Sequence, residues 1–392
     1  MNILINGVSS KSGGARTYIE NLIEQLSIEH NGNKYIFFVP KTLANICNAQ
    51  WADNISIVAT EIGSSPFWKR FLWDQVALRA ILKKRKIDVL VSSSDFGMTF
   101  PPCPQILLVR NSLFFSSIYR KACSIRKSWK SRLNLSARRR MVLASIGFSE
   151  VVVTASQSML DEMKRFIDFA GRKTVVNPFG VPLHYFSDSQ QNCAGENKAK
   201  GGGHLRLLHV SEYSDYKNLT VLLKAIRLLS EGGFKEFTLL TTADPWQYPT
   251  DELVTREEDQ LLARHPMVTP FVKIAGPVPY TEIPKLYSAS DVFVFPSIAE
   301  SFGHPLVEAM ASGLPILASD IPVCREICGE AAIYFDPFNE RSLAEAILHL
   351  GEDTILRKRL GEAGRRRAES QFNWTDHVRR LVNLIEEVGA DA

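Results

Sequence analysis

Two carboxylates with seven residues between them, Glu300 and Glu308, are the first candidates for chemistry in this sequence. They lie in Val292-Phe-Val-Phe-Pro-Ser-Ile-Ala-Glu300-Ser-Phe-Gly-His-Pro-Leu-Val-Glu308-Ala-Met-Ala-Ser-Gly313. There an apolar run ends at Phe295, a loop carries Glu300 and Gly303, and Pro305 is placed to open a helix that Gly313 closes. Free N–H groups and the positive dipole end of such a helix seat a diphosphate. A carboxylate one turn in, Glu308, is a poor phosphate ligand but a good acceptor for the two hydroxyls of a ribose. Glu300, at the strand end, can accept from the hydroxyls of a further sugar. One strand-loop-helix element thus offers contacts along a sugar joined to a nucleotide through two phosphates. On spacing alone, an ordinary helix glutamate and a surface loop glutamate remain the alternative.

Such groups need a scaffold that gathers strand ends. Short apolar runs alternate with helical patterns along the first half: Ile3 to Asn6, a helix from about Thr17 to Leu26, Tyr35 to Val39, a helix around Phe71 to Lys84, Val89 to Ser92, Ile106 to Val109 and Val151 to Thr154. The alternation resumes with Leu205 to Val210, a helix Leu219 to Ser230, Phe237 to Thr241, Val268 to Phe271, a helix Glu282 to Ser288, Val292 to Phe295 and Pro315 to Ala318. Continuous Val/Ile/Leu runs joined by helices predict doubly wound parallel sheets, with ligands beyond the carboxyl ends of the strands. The intervening stretch, Ser187 to Gly203, has almost no large apolar residue. A first domain over 1–188, a linker over 189–203 and a second domain over 204–372 follow. The tail, about 373–392, is helix-like and is expected to pack back on the first domain.

Charge separates the two halves. Residues 1–190 hold 25 Lys/Arg against 13 Asp/Glu, and the remainder 21 against 29. Between Asp95 and Glu150 no acidic residue occurs, while Arg110, Arg120, Lys121, Arg126, Lys127, Lys130, Arg132 and Arg138 to Arg140 do, interleaved with Phe114, Phe115, Tyr119 and Trp129. The segment 110–140 is therefore expected to touch anionic membrane peripherally. A solvated basic face is the alternative, and no nucleic-acid module accompanies the charge. Nothing at Met1 to Ser10 reads as a signal peptide, and no apolar run approaches the ~20 residues that span a bilayer. The six cysteines form no CxxC pair or ligand-spaced cluster. Buried thiols and a cytoplasmic location, at most peripheral to the inner face of the cell membrane, are expected. No D-x-D pair occurs, so no metal or other cofactor is expected.

The segment around Glu300 resembles the E-x7-E motif of the retaining glycosyltransferases of group 1 (family 4). The resemblance extends over FVKIAGPVPYTEIPKLYSASDVFVFPS (Phe271 to Ser297) and HVSEYSDYKNLTVLLKAI (His209 to Ile226), with a weaker trace over the first domain. It implies the GT-B fold, two Rossmann-like domains facing each other across a cleft. It implies that Lys217 contacts the donor diphosphate and, with Glu300, forms the catalytic pair. Phe302, Gly303, His304, Leu306, Val307 and Glu308 would line the donor. Gly13 and Gly14 match the glycine loop opposite the diphosphate, and Val278, in Gly276-Pro-Val-Pro-Tyr280, falls on the loop that holds the base. Two departures stand out. The family's arginine five positions before the lysine is Glu212 here, and its acceptor-side histidine is replaced by the stretch holding Arg110 and Asn111. The resemblance implies metal-independent transfer of a sugar from a UDP- or GDP-sugar, with retention, to an acceptor such as a lipid-linked saccharide of cell-surface polysaccharide. A nucleotide-sugar epimerase and a non-catalytic nucleotide-sugar binding protein are the rival readings.

Overall fold

The computed structural model describes residues 1–11, 13–29, 31–43, 51–122, 127–169, 171–186, 203–247 and 254–390. Most of the expected linker and Arg126 lie outside these residues. The chain forms two compact units: Met1–Phe115 with Leu133–Gly180 and Trp374–Ala392, and Ser116–Arg132 with Val181–Asn373.

The first unit is built on seven parallel strands: β1 (Asn2–Asn6), β2 (Lys34–Pro40), β3 (Ile55–Thr60), β4 (Val89–Ser92), β5 (Gln105–Val109), β6 (Val151–Thr154) and β7 (Lys173–Val176), in the order β3-β2-β1-β4-β5-β6-β7. Their interior residues, such as Ile3, Leu4, Ile5, Leu90 and Leu107, are fully buried, which is why these runs read as continuously apolar. β3 and β7 were not foreseen. They are the edge strands, and their burial is broken, so the apolar signal is weak. The helix Trp129–Gly147 was also missed, because its long stretch Lys130 to Arg140 is mostly polar.

The second unit holds six parallel strands: β8 (Leu205–His209), β9 (Phe237–Thr241), β10 (Val272–Ile274), β11 (Val292–Phe295), β12 (Ile316–Ser319) and β13 (Ala332–Phe335), in the order β10-β9-β8-β11-β12-β13. Val268 to Phe271 is not the strand its composition predicts. Thr269–Phe271 forms a 3-10 turn with Pro270 in its first positions, and β10 begins one residue later. In both sheets the strand order reverses beside the first strand, between β1 and β4 and between β8 and β11. At such a switch point the connections leave in opposite directions and open a crevice at the strand carboxyl ends.

Two segments depart from simple chain order. The helix Trp374–Ala390 packs on Gly13–Ile28 in the first unit, where the Tyr18 hydroxyl meets His377 Nε2 at 3.2 Å. Ser116–Arg132, expected within the first domain, groups with the second unit instead. Its Tyr119 ring stands edge-on to Tyr216, with centroids 6.4 Å apart, and Lys127 Nζ lies 3.3 Å from the buried Asp215 carboxylate. An aromatic contact and a nearly desolvated charge pair outweigh proximity in sequence.

Candidate active site

The second sheet's switch point carries the site. After β8 the chain makes a 3-10 turn, Asp215–Lys217, and leaves it through Asn218 in the left-handed conformation, φ 57°. Asn218 Nδ2 donates to the carbonyls of Pro296 (3.1 Å) and Pro337 (2.8 Å), and Ile298 N donates to the Tyr216 carbonyl at 2.8 Å. The loops after β8 and β11 are thus laced together, and Lys217 Nζ reaches Glu300 Oε1 at 2.5 Å. Burial works against the lysine's charge, but Glu300, Tyr216 and Glu212 outweigh it and its pKa stands above the ordinary lysine value. Glu212 is exposed, and its charge adds to the negative field at Lys217.

Gly303 follows with φ 84°, a conformation that favours glycine. An added Cβ would also lie 3.0 Å from Leu306 Cδ1. The helix begins at His304, one residue before Pro305, and ends at Ala311. The amides of Gly313 and Leu314 then close it by donating to Met310 and Ala309 carbonyls, with Gly313 at φ 66°. Phe302, Leu306 and Val307 face the core, and the His304 ring packs edge-on to Phe302. Glu308 is the helix's fifth residue, just past the first turn rather than in it.

Glu308 is 5% exposed, and sequence reading did not find its partners. Tyr287 OH donates to Oε2 at 3.0 Å and Tyr280 OH to Oε1 at 3.2 Å. Burial pushes this carboxyl up to about 7, and the two phenols only partly offset it. Tyr280 closes the loop that holds half-buried Val278, which begins at Gly276, φ 69°. Glu308 is therefore tied to the proposed base loop. Tyr280 lies in the quoted Gly-Pro-Val-Pro-Tyr run, so the tie was open to inference; Tyr287 lies inside a helix and carried no signal.

His209, the last residue of β8, was also missed as a site candidate. It is fully buried, its Nδ1 lies 3.0 Å from Thr241 Oγ1, and its Nε2 has no hydrogen-bond partner among the described residues. Burial, helped by the Lys217 charge, pushes its pKa down to about 3, so it is neutral near pH 7.

In the first unit, Gly13 opens the helix Gly13–Ile28 with φ 56°. The Gly14 carbonyl accepts from Arg110 Nη2 at 3.0 Å. Arg110 also donates to the Ser93 carbonyl and lies over the rings of Tyr18 and Phe179, 4.5 and 5.4 Å from their centroids. Its guanidinium is built into the framework of the glycine loop. Asn111 Oδ1 accepts from Leu113 N and caps the 3-10 turn Ser112–Phe114, while the amides of Arg110 and Asn111 both donate to Asp95 Oδ1. These two residues shape the strand-end loop.

The basic segment is divided in role. Phe114, Phe115 and Tyr119 are buried, Arg138 stacks on Phe67 and Arg139 on Phe166. Packing thus claims these three aromatics and two of the three consecutive arginines. Trp129 and Leu133 remain exposed, 64% and 62%, beside exposed Lys130 and Arg132. Among the described residues no helix is long and apolar enough to cross a membrane.

Comparison with known proteins fits this geometry. The model of the glycosyl transferases group 1 matches residues 195–367, and that of glycosyltransferase family 4 matches residues 12–185. O-antigen chain mannosyltransferase B of Escherichia coli is 25% identical over 248 residues, 62% of this chain and 62% of that protein. The chain thus spans about three-fifths of that relative. The structure of a sucrose-phosphate synthase from Thermosynechococcus elongatus superposes over 100% of both chains, with TM-score 0.80 and 19% identity. The Anabaena protein HepE, in complex with UDP-glucose, covers 99% of this chain and 100% of its own at TM-score 0.69 and 17% identity. These structures share the GT-B fold, two parallel-sheet α/β domains. With the two models together matching most of its length, the chain belongs to the group 1 (family 4) glycosyltransferases.

Proposed function

We propose that this protein transfers a sugar from a UDP- or GDP-sugar to a saccharide acceptor, with retention of configuration and without a metal ion. The observation that carries the reading is the Lys217–Glu300 pair, delivered by the two strands that flank the switch point, with buried Glu308 on the helix that follows. Lys217 would exchange Glu300 for the leaving diphosphate and neutralise its developing charge. Glu300, released, would accept hydrogen bonds from the sugar being moved. The amides at the start of His304–Ala311 would hold phosphate oxygens, Glu308 the ribose hydroxyls, and the Val278 loop the base. The bond from the anomeric carbon to the diphosphate oxygen breaks as that carbon bonds the acceptor oxygen on the same face, and the acceptor's proton passes to the leaving phosphate. HepE's complex with UDP-glucose and the mannosyltransferase relative support a nucleotide-sugar donor.

The proposed acceptor is a lipid-linked saccharide, and exposed Trp129 and Leu133 beside Lys130 and Arg132 are suited to peripheral contact with an anionic membrane at the cytoplasmic face. The reading is tested by nucleoside diphosphate release. Free UDP or GDP should appear only when acceptor is added, and release should survive EDTA. Donor conversion without acceptor would instead indicate an epimerase, and activity lost to EDTA and restored by magnesium would reject the metal-free site.

A further inference from the structure

The loop after β1 faces a second charged cluster that the donor site does not use. Arg70, on the helix Phe67–Trp73, donates from Nη1 to Ser9 Oγ at 3.4 Å, and Ser9 follows the carboxyl end of β1. Arg138, on the helix Trp129–Gly147, lies 5.1 Å from the ring centroid of Phe67, which stands one turn before Arg70 on the helix Phe67–Trp73. Arg138 thus packs on the helix that carries Arg70, close enough for its charge to act on the Arg70 guanidinium. The Nε atoms of both are buried without a hydrogen-bond partner among the described residues. No carboxylate is in salt-bridge contact with either among the described residues. Asp74 is buried nearby, but its Oδ1 is taken by Asn6 Nδ2 at 2.9 Å.

Unsatisfied buried donors are costly, and costlier when the group is charged and a like charge stands beside it. Burial lowers the Arg70 pKa, Asp74 works the other way, and Arg138 lowers it further, which marks the repulsion between the pair. Burial also pushes Asp74 up to about 7, so it neutralises the cluster only in part. A tetrahedral oxyanion supplies what is missing, because planar guanidinium forks match phosphate oxygens and the anion separates the two positive heads. Both arginines are half-buried, so solvent ligands reach them. The site lies at the carboxyl edge of β1, beside the switch point of the first sheet, where a doubly wound fold places its ligands.

We propose that Arg70 and Arg138, with Ser9, bind a phosphoryl group carried by the acceptor, so that the acceptor is anionic. The inference rests on the sugar-transfer reading for the word acceptor, but the anion site itself stands without it. Thermal unfolding of the full chain, with UDP or GDP held saturating, is followed while methyl phosphate or dimethyl phosphate is added against chloride of equal ionic strength. Methyl phosphate represents a sugar phosphate monoester and dimethyl phosphate the diester charge of a lipid-linked phosphate; whichever protects more identifies the source. Arg70→Met with Arg138→Met should weaken protection by about tenfold or more, leave UDP and GDP affinity unchanged, and leave the ligand-free midpoint unlowered because two repelling charges are gone. Arg70→Lys, which keeps the charge and loses the fork, should fall between and serves if the double variant does not fold. Absence of protection in the wild type by either phosphate, equal protection in the variants, or stronger protection by glucuronate would overturn the assignment. Failure of the donor reading would appear separately, as wild-type protein that binds neither UDP nor GDP.

Discussion

Glu300 and Glu308 have the same side chain and opposite surroundings, and the difference predicts separable effects. Glu300 is held by a lysine that the proposed reaction needs elsewhere, so in that reaction its contacts to the sugar would strengthen as the donor reacts. Glu300→Gln should lower kcat by about tenfold or more while donor affinity changes little. In the proposed site Glu308 would contact parts of the donor that do not change during reaction. Glu308→Ala should raise the donor Kd about tenfold, and an unchanged Kd would remove it from the ribose site. Because burial holds the Glu308 carboxyl up to about 7, its protonation state changes across the neutral range. The ionised form is the stronger acceptor. Comparing wild type with Glu308→Gln cancels the titration of the nucleotide phosphate. The affinity ratio should be near one at pH 6, where the wild-type carboxyl is mostly protonated and resembles the amide, and should grow toward pH 8. A ratio constant with pH would place the proton elsewhere.

At the scale of elements, the helix His304–Ala311 is aimed by what packs behind it. The helix Thr354–Gln371 crosses its carboxyl end so closely that a Cβ at Gly361 would lie only 2.2 Å from the Gly313 carbonyl oxygen. That oxygen belongs to backbone that closes the helix and cannot swing aside. Gly361→Ala should cost about 1–3 kcal/mol of stability and weaken donor binding, because it shifts the helix that carries Glu308. Gly351 is the control, since its added Cβ meets only ordinary contacts at 3.6 and 3.7 Å. Gly351→Ala should be neutral or stabilising by up to about 1 kcal/mol. Equal midpoints for the two variants in thermal unfolding would contradict the packing argument.

For the molecule as a whole, charge placement governs the expected membrane encounter. Arg138 and Arg139 are turned onto aromatic rings, so the docking test belongs on Trp129, Lys130, Arg132 and Leu133. Binding to vesicles should rise with their content of anionic lipid and fall with salt. Lys130→Ser with Arg132→Ser should weaken vesicle binding by roughly thirtyfold, at ~1 kcal/mol per basic residue near the surface, with nucleotide affinity unchanged. Equal binding to neutral and anionic vesicles would return the segment to an ordinary solvated face.

The sequence alone determined the two α/β sheets, since their central strands are buried on both sides and must be written in Val, Ile, Leu and Phe. It also determined the E-x7-E element, because strand end, loop glycine, proline and helix stop are local signals read within one short stretch. The edge strands β3 and β7 escaped because half-buried edges need no continuous apolar run. The tertiary structure decided everything that depends on two distant segments meeting. Tyr287 became a partner of Glu308 because the helix Ile283–Ser288 packs beside His304–Ala311. Arg110 became framework because Tyr18, Phe179 and Gly14 converge on it. Arg138 left a run of three arginines to stand beside Arg70 for the same reason. A residue's type states which bonds it can make, but which of them are made is decided by the partners that folding brings within about 3 Å.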